Sequence, residues 1–107
     1  MAAGNINKAE FNQMIQGSKP VLVDYWAPWC GYCRRIGPAY DKIAQQYEGM
    51  LNAVKINIDE EPELAKKEQI EVIPSLVLYR DGKAIGSVVA PESKAAIESF
   101  IREALEQ

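Results

Sequence analysis

The sequence contains no histidine and only two cysteines among its 107 residues. A structural zinc site needs four Cys or His ligands, so this chain cannot build one by itself. The sequence also lacks any apolar run near the roughly 20 residues that cross a bilayer. Its start, "MAAGNINKAE", has neither the basic opening nor the apolar centre of a secretory signal. We therefore expect a cytoplasmic protein with no membrane partner.

Positive charge is also scarce, because 12 Lys and Arg residues stand against 15 Asp and Glu residues, for a net charge of −3. Proteins that bind nucleic acid usually carry a basic stripe, so we expect no nucleic-acid partner. The pattern G-x-G-x-x-G does not occur either, so the chain does not bind a nicotinamide or a flavin by that route. We expect no cofactor and no metal.

What the sequence does have is the composition of an ordinary globular protein, with 48% hydrophobic and 25% charged residues. A chain of this length fits one domain and can bury its own apolar core. We therefore assign residues 1–107 to a single domain.

Hydrophobic periodicity and turn residues predict eight elements in the order α, β, α, β, α, β, β, α. The segment 20–27 is almost continuously apolar, which indicates a strand covered on both faces. Strands separated by helices form a parallel portion, and Asp81-Gly82 is a hairpin signal. The predicted fold class is α/β, a three-layer α/β/α sandwich whose mixed central sheet has a parallel portion and a C-terminal antiparallel hairpin. The first helix is predicted within 5–17, with Asn7 as its cap and Glu10 as the capping-box partner. In chain order it is followed by a strand over 20–27, a helix between Cys33 and Gly49, a strand over 51–59, a short helix from Pro62 that carries Leu64, Ala65 and Ile70, strands over 75–80 and 83–90, and a helix capped by Ser93.

Both cysteines lie in one motif, Cys30-Gly31-Tyr32-Cys33, where the strand 20–27 gives way to a helix. Reactive groups of an open parallel sheet collect beyond the carboxyl ends of its strands, and this motif lies at such an end. Free N–H groups and the helix dipole favour a thiolate at a helix N-terminus, so Cys30 is the expected nucleophile. Cys33, one turn along, can resolve a mixed disulfide. The motif predicts reversible dithiol–disulfide exchange, with a structural disulfide or half of a metal site shared across a dimer as alternatives.

The sequence resembles the thioredoxin family in several motifs that follow one another in the family's order. They are "VLVDYWAPWCGYC", Pro38 five residues after Cys33, "VKINIDEEPELA", "VIPSLVLYRDGK" and the final helix. The resemblance covers nearly the whole chain and implies a thioredoxin-like fold. It also implies a monomeric protein-disulfide reductase whose partners are protein disulfide clients and a separate thioredoxin-type reductase.

The resemblance further implies roles for the residues that match the family's motifs. Cys30 is similar to the attacking cysteine and Cys33 to the resolving cysteine, and together they form the redox disulfide. Asp24 matches a buried carboxylate that moves a proton, and Lys55 matches a lysine that pairs with it. Pro74 matches a cis-proline packed against the disulfide. The implied substrate-binding surface consists of Trp29, Tyr32, Val72, Ile73, Val89 and Ala90.

The dipeptide between the cysteines, Gly31-Tyr32, differs from the Gly-Pro that is usual in the family. Intervening residues help to set the relative stability of dithiol and disulfide. We therefore expect a reduction potential between the thioredoxin value of about −270 mV and the isomerase value of about −180 mV. The alternatives to a reductase are an oxidase or isomerase of the protein disulfide isomerase type, and a non-catalytic binding module with a shared metal site.

Other departures from the family bear on the surroundings of the motif. Arg34 and Arg35 follow it directly, either as solvated surface or as cations that favour a thiolate at Cys30. Glu71 stands where a basic residue is common, and Ala90 stands where a glycine is usual. Only a few residues precede the first helix, so the family's first strand is expected to be short or missing.

Overall fold

The computed structural model describes residues 3–106 and confirms the predicted order of the elements. The elements are α1 (Lys8–Met14), β1 (Val21–Trp26), α2 (Gly31–Gln46), β2 (Asn52–Asn57), α3 (Pro62–Lys67), β3 (Ser75–Arg80), β4 (Lys83–Val89) and α4 (Lys94–Leu105). None of the helices in these residues is long and apolar enough to cross a membrane.

The four strands form one mixed sheet in the order β2-β1-β3-β4. β1 runs parallel to β2 and antiparallel to β3, and β3 runs antiparallel to β4. The mixed sheet and the hairpin are confirmed, and the parallel portion is a single pair of strands. In this register the carboxyl ends of β1 and β2 lie beside the start of β3, since Trp26 pairs with Asn57 and Tyr25 with Ser75. The loop that leaves β1 and the loop that enters β3 therefore meet at one end of the strands, beyond the carboxyl end of β1.

Two apolar clusters cover the two faces of the sheet, as the predicted three-layer sandwich requires. Because successive side chains of a strand point to opposite faces, β1 contributes Leu22 to one cluster and Val23 to the other. The Leu22 cluster contains buried residues of α2 and α4, including Ile36 and Ile97. The Val23 cluster contains residues of α1 and α3, including Phe11 and Leu64, which are 1% exposed each. The sheet is thus sandwiched between two helical layers.

The helices begin where the sequence signals indicate. Asn7 caps α1 in a capping box: its side chain accepts the Glu10 N–H at 2.8 Å, and its own N–H donates to the Glu10 carboxylate at 2.9 Å. The Ser93 hydroxyl accepts the N–H of Ala96 at 3.1 Å and starts α4. These caps satisfy N–H groups that the first helical turn leaves without partners.

The end of α3 differs from the sequence-based prediction. Ile70 was expected to lie on this helix, but the helix ends at Lys67. Gln69 takes a left-handed conformation with φ of 61°, and this turns the chain out of the helix before Ile70 is reached. The side chain of Ile70 still packs against the α1/α3 cluster, so its apolar character reflects burial rather than helix.

The hairpin between β3 and β4 is confirmed. Asp81 and Gly82 have φ of 55° and 80°, and two consecutive left-handed residues fit the tight two-residue turns of twisted hairpins. Further along β4, a Cβ atom on Gly86 would lie 3.3 Å from both Ala104 and Phe100. The missing side chain therefore lets α4 pack closely on this strand.

The chain before α1 forms a rudimentary strand at the β2 edge of the sheet. Asn5 pairs with Lys55 in a single parallel bridge. The Ile6 N–H donates to the Lys55 carbonyl at 2.8 Å, and the Lys55 N–H donates to the Gly4 carbonyl at 2.9 Å. The expected first strand is thus short.

Candidate redox site

The two cysteines lie at the start of α2, directly beyond β1. Cys30 is the N-cap residue of the helix, with extended backbone, and its sulfur accepts the Cys33 N–H at 3.2 Å. A disulfide joins the two residues, whose Cα atoms are 5.3 Å apart. Cys30 is 9% exposed and Cys33 is 3% exposed, so Cys30 is the more accessible residue of the pair. An N-cap sulfur that receives a main-chain N–H is held where negative charge on it is stabilised.

The loop that enters β3 packs against this disulfide. The peptide bond between Ile73 and Pro74 is cis, as predicted for this position. The Cys30 sulfur lies 4.0 Å from the Ile73 carbonyl oxygen, and Ile73 packs in the same small cluster as the cysteines and Ala27. The meeting of the β1 and β3 ends therefore places Ile73, and with it the cis Ile73-Pro74 bond, beside the disulfide.

Asp24 is a fully buried carboxylate in the middle of the sheet. It lies on β1 two residues after Leu22, so its side chain points to the face covered by α2, the helix that carries Cys33. Within residues 3–106 neither carboxylate oxygen has a hydrogen-bond partner. Burial raises the pKa of Asp24 to about 7, against a lowering by the Lys55 charge and a further raising by Asp41. A carboxyl group in this state can take up or release a proton at neutral pH.

Lys55 lies beside Asp24 but does not form an ion pair with it. The two residues are directly paired in the parallel register of β1 and β2. The Lys55 ammonium instead lies 4.6 Å from the centre of the Trp26 ring, in a cation–π contact. The Trp26 indole is itself held by its N–H, which donates to the Asn5 side chain at 2.8 Å. Lys55 therefore acts on Asp24 through its charge and not through a hydrogen bond.

Exposed apolar side chains surround the disulfide. Trp29, Val72 and Val89 are 66%, 54% and 50% exposed, which is unusual for residues of this size and polarity. The Trp29 N–H donates to the two carboxylate oxygens of Asp59 at 3.0 and 3.2 Å, which fixes the ring beside Cys30. An exposed apolar patch of this kind is typical of a surface that contacts a partner.

The remaining residues of the predicted substrate surface lie where the two loops touch. The Ala90 N–H donates to the Pro74 carbonyl at 2.9 Å, which ties the end of β4 to the cis-proline loop. The Tyr32 hydroxyl donates to the Pro91 carbonyl at 2.8 Å, and its ring is half-buried against the α2/α4 cluster. Tyr32 thus links α2 to the segment between β4 and α4.

Sequence reasoning missed two residues that shape the site. Asp59 holds Trp29, and its signal was its position just beyond the carboxyl end of β2, next to the end of β1. The Tyr40 hydroxyl is within hydrogen-bonding distance of the Leu22 and Val54 carbonyls, at 3.0 and 2.7 Å. Burial raises the pKa of Tyr40, and the nearby Asp24 charge raises it further, so this side chain stays neutral. No sequence signal distinguishes it from an ordinary apolar position of α2.

Arg34 turns back toward the loop that precedes the motif. Its guanidinium donates to the Pro28 carbonyl at 2.6 Å, two residues before Cys30. Arg35 is exposed, and within the described part of the chain it makes no side-chain hydrogen bond. No group of three or more Cys, His, Asp or Glu side chains in residues 3–106 is arranged to hold a metal ion.

Comparison with known proteins assigns the chain to a family. The thioredoxin family model matches residues 3–103. Thioredoxin 1 of Nostoc sp. is 41% identical over 97% of this chain and 98% of its own, and the thioredoxin of Synechocystis sp. is 40% identical over 97% and 98%. A solved structure from work on the thiol-resolving mechanism of yeast mitochondrial 1-Cys peroxiredoxin, through the glutathione and thioredoxin systems, is 30% identical. It superposes with a TM-score of 0.83 over 94% of both chains.

The cysteine spacing, the disulfide-bonded pair at the helix start and these matches lead to one conclusion. This chain belongs to the thioredoxin family and is a thiol–disulfide oxidoreductase that reduces protein disulfides by dithiol–disulfide exchange.

Proposed function

We propose that Cys30 attacks the disulfide of a client protein and that Cys33 completes the exchange. The Cys30 thiolate forms a bond to one client sulfur, and the other client sulfur leaves as a thiolate. Cys33 then attacks Cys30, which releases the second client thiol and closes the protein's own disulfide. The client gains two electrons and two protons, and the protein loses them. The observation that carries this assignment is the Cys33 N–H donated to the Cys30 sulfur at 3.2 Å, at the N-terminus of α2.

Asp24 is proposed to accept the proton of Cys33 as this thiol becomes a nucleophile. A general base works best when its pKa lies near the operating pH, and the pKa of Asp24 is about 7. The orientation toward α2 and the absence of a hydrogen-bond partner within residues 3–106 support the role, since no other group in that range competes for the carboxylate. Lys55 tunes this acid through its charge, which lowers the Asp24 pKa toward neutrality.

The client is proposed to pack its chain across the exposed side chains around the disulfide. Trp29, Val72 and Val89 supply apolar contact area, and Tyr32 and Ala90 hold the adjoining loops. Ile73 supplies main-chain groups: within residues 3–106 neither its N–H nor its carbonyl is bonded to another main-chain group. An extended client segment can pair with such a position, as a strand pairs with a free edge.

The cycle requires a reductant for the Cys30–Cys33 disulfide, and we assign this role to a separate thioredoxin-type reductase. The cytoplasm is the proposed compartment, because thiols are kept reduced there. The protein is proposed to act as a monomer and as a single domain.

Single-cysteine variants test the order of attack. With dithiothreitol as the electron source, the wild-type protein should accelerate the reduction of a protein disulfide such as that of insulin. Cys30→Ser should abolish the acceleration. Cys33→Ser should lose turnover but accumulate a mixed disulfide with the client, visible as a mass increase that a thiol reductant reverses. Turnover by Cys30→Ser, or a mixed disulfide formed through Cys33, would reverse the assignment.

A further inference from the structure

A recess adjoins the apolar surface around the disulfide. It is a cleft of about 510 Å³ between the segment 68–72 and the face of the β3–β4 hairpin opposite α4. Val72 and Val89, which belong to the proposed client surface, also line this cleft. A client chain that lies across the disulfide therefore reaches the cleft without leaving the protein surface.

The cleft exists because the hairpin carries small side chains on this face. In the β3–β4 register Val77 pairs with Ser87 and Tyr79 pairs with Ala84. The helical layer on the same face, formed by α1 and α3, covers β1, β2 and the β3 residues Val77 and Tyr79, whereas Ala84 and Ser87 of β4 stay exposed. Space for a guest side chain therefore remains above the hairpin.

The charges that line the cleft are all of one sign. Its charged lining residues are Glu68 and Glu71, and the lining contains no lysine or arginine. The salt bridge formed within residues 3–106 joins Lys94 and Glu98. Neither Glu68 nor Glu71 takes part in a salt bridge in that range. A half-apolar recess with two carboxylates lacking a cation favours a guest that combines an aliphatic stem with a positive head.

Glu68 is held in position by a chain of buried hydroxyl groups. The Tyr79 hydroxyl donates to one Glu68 oxygen at 2.7 Å and lies 2.7 Å from the Tyr25 hydroxyl. Because each hydroxyl carries one hydrogen, Tyr25 must donate to Tyr79. Both tyrosines are almost fully buried, at 0% and 2% exposure, so the chain is anchored in the core. One carboxylate oxygen is thereby fixed, and the other receives no hydrogen bond within the described residues.

We propose that this cleft is a specificity subsite that receives a lysine or arginine side chain of the client, and that Glu68 is its recognition residue. The proposal rests on the proposed function, because the same client chain must also present its disulfide to Cys30. The β3 residues from Ser75 to Tyr79 span ~13 Å, about the length of four residues of extended chain. The preferred cation therefore lies about three to five residues from the attacked client cysteine.

A set of matched peptides tests this inference in single-turnover reactions. Each peptide carries one cysteine in a mixed disulfide with 2-mercaptoethanol and, four residues before or after it, lysine, norleucine or glutamate. The pre-reduced full-length protein is mixed with each peptide, and the released peptide thiol is quantified against time. We expect the lysine peptide to react roughly three- to fivefold faster than the norleucine peptide in one of the two placements, and the glutamate peptide to react more slowly than both.

Glu68→Gln keeps an oxygen that accepts the Tyr79 hydrogen bond but removes the charge. This variant should bring the lysine-to-norleucine ratio close to one while the rate for the norleucine peptide stays unchanged. Glu63→Gln, an exposed change on α3 away from the cleft lining, should keep the wild-type ratio. The wild-type preference for the lysine peptide should also shrink when the salt concentration is raised from about 0.05 to about 0.5 M, as expected for a partly exposed charge pair.

Two results would overturn the subsite. One is equal rates for lysine and norleucine peptides with the wild-type protein in both placements. The other is a lysine preference that Glu68→Gln leaves intact. Both leave the exchange itself measurable on the norleucine peptide, whereas failure of the proposed function would appear as no reaction with any peptide.

Discussion

The burial of Asp24 makes the stability of the folded protein depend on pH. The folded protein gives this carboxyl a pKa of about 7, compared with 3.8 for an exposed group, because burial disfavours the charged form. Between these values the folded chain keeps the proton that the unfolded chain has lost. The contribution of Asp24 to stability therefore falls as the pH rises from about 4 to about 7 and stays low above that. The full difference corresponds to about 4 kcal/mol.

Asp24→Asn should remove this pH dependence. At pH 8 we expect the variant to be more stable than the wild type by about 2 kcal/mol, less than the full difference because the buried amide still lacks partners. Urea unfolding of both oxidised proteins at pH 4, 6 and 8 measures the effect as a difference. Asp81→Asn, an exposed change in the hairpin turn, is the control and should leave the difference flat. A wild type that gains stability relative to Asp24→Asn as the pH rises would contradict the raised pKa.

Ala90, at the edge of the proposed client surface, has a backbone conformation that is unfavourable for a residue with a side chain. Its φ is 47°, in the left-handed region that residues with a Cβ atom avoid. Ala90→Gly should therefore raise the free energy of unfolding by about 1 kcal/mol in denaturant unfolding. Ala95→Gly, in the first turns of α4, should lower it by about 0.5 kcal/mol. Destabilisation by Ala90→Gly would mean that the alanine methyl makes contacts that outweigh the strain.

The first turn of α2 combines a helix N-terminus with a cation, and this combination can be separated experimentally. Arg34 is fixed on the Pro28 carbonyl, whereas Arg35 makes no side-chain hydrogen bond within residues 3–106. If the Arg34 charge favours the Cys30 thiolate, Arg34→Ala should slow alkylation of the reduced protein at pH 6 by about two- to threefold. Arg35→Ala should have a smaller effect. Equal alkylation rates for the wild type, Arg34→Ala and Arg35→Ala would assign both arginines to the solvated surface.

The elements that local patterns specify were predicted from the sequence. The capping box at Asn7, the apolar run of β1 and the Asp81-Gly82 turn each depend on neighbours within a few residues. The end of α3 was not predicted, because the spacing of Ile70 matches a helix and Gln69 gives no sign of its left-handed conformation. A glycine or asparagine at position 69 would have been a recognisable stop signal.

Some features of the site depend on residues close together in the chain, and others depend on contacts between distant residues. The chemistry of the Cys30–Cys33 motif could be predicted from the sequence, because the two cysteines lie within one helical turn of each other. The contact of Lys55 with Trp26 instead of Asp24 depends on strand pairing. The hydrogen bond between Tyr25 and Tyr79 joins residues 54 positions apart. Such contacts follow from register and burial, which a single sequence does not specify.

The reduction potential is a property of the whole molecule, because it depends on the difference in free energy between the dithiol form and the disulfide form of the protein. With Gly31-Tyr32 between the cysteines we expect a reduction potential between about −270 and −180 mV, measured by equilibration with glutathione. Tyr32→Pro should shift the potential to a more negative value by stiffening the turn. Tyr32→Phe removes only the hydroxyl bonded to Pro91 and should shift it less. A wild-type value outside the bracket would contradict this reading of the dipeptide.

The proposed mechanism depends most on the difference in reactivity between the two sulfur atoms of the reduced protein. Alkylation with iodoacetamide from pH 5 to 9, followed by mass spectrometry of the peptides, measures how readily each one reacts. We predict that Cys30 reacts first, with a midpoint below about pH 7.5, while Cys33 stays largely unmodified in the folded protein. A Cys30 midpoint near the value of about 8.5 for free cysteine, or faster modification of Cys33, would contradict the proposed mechanism.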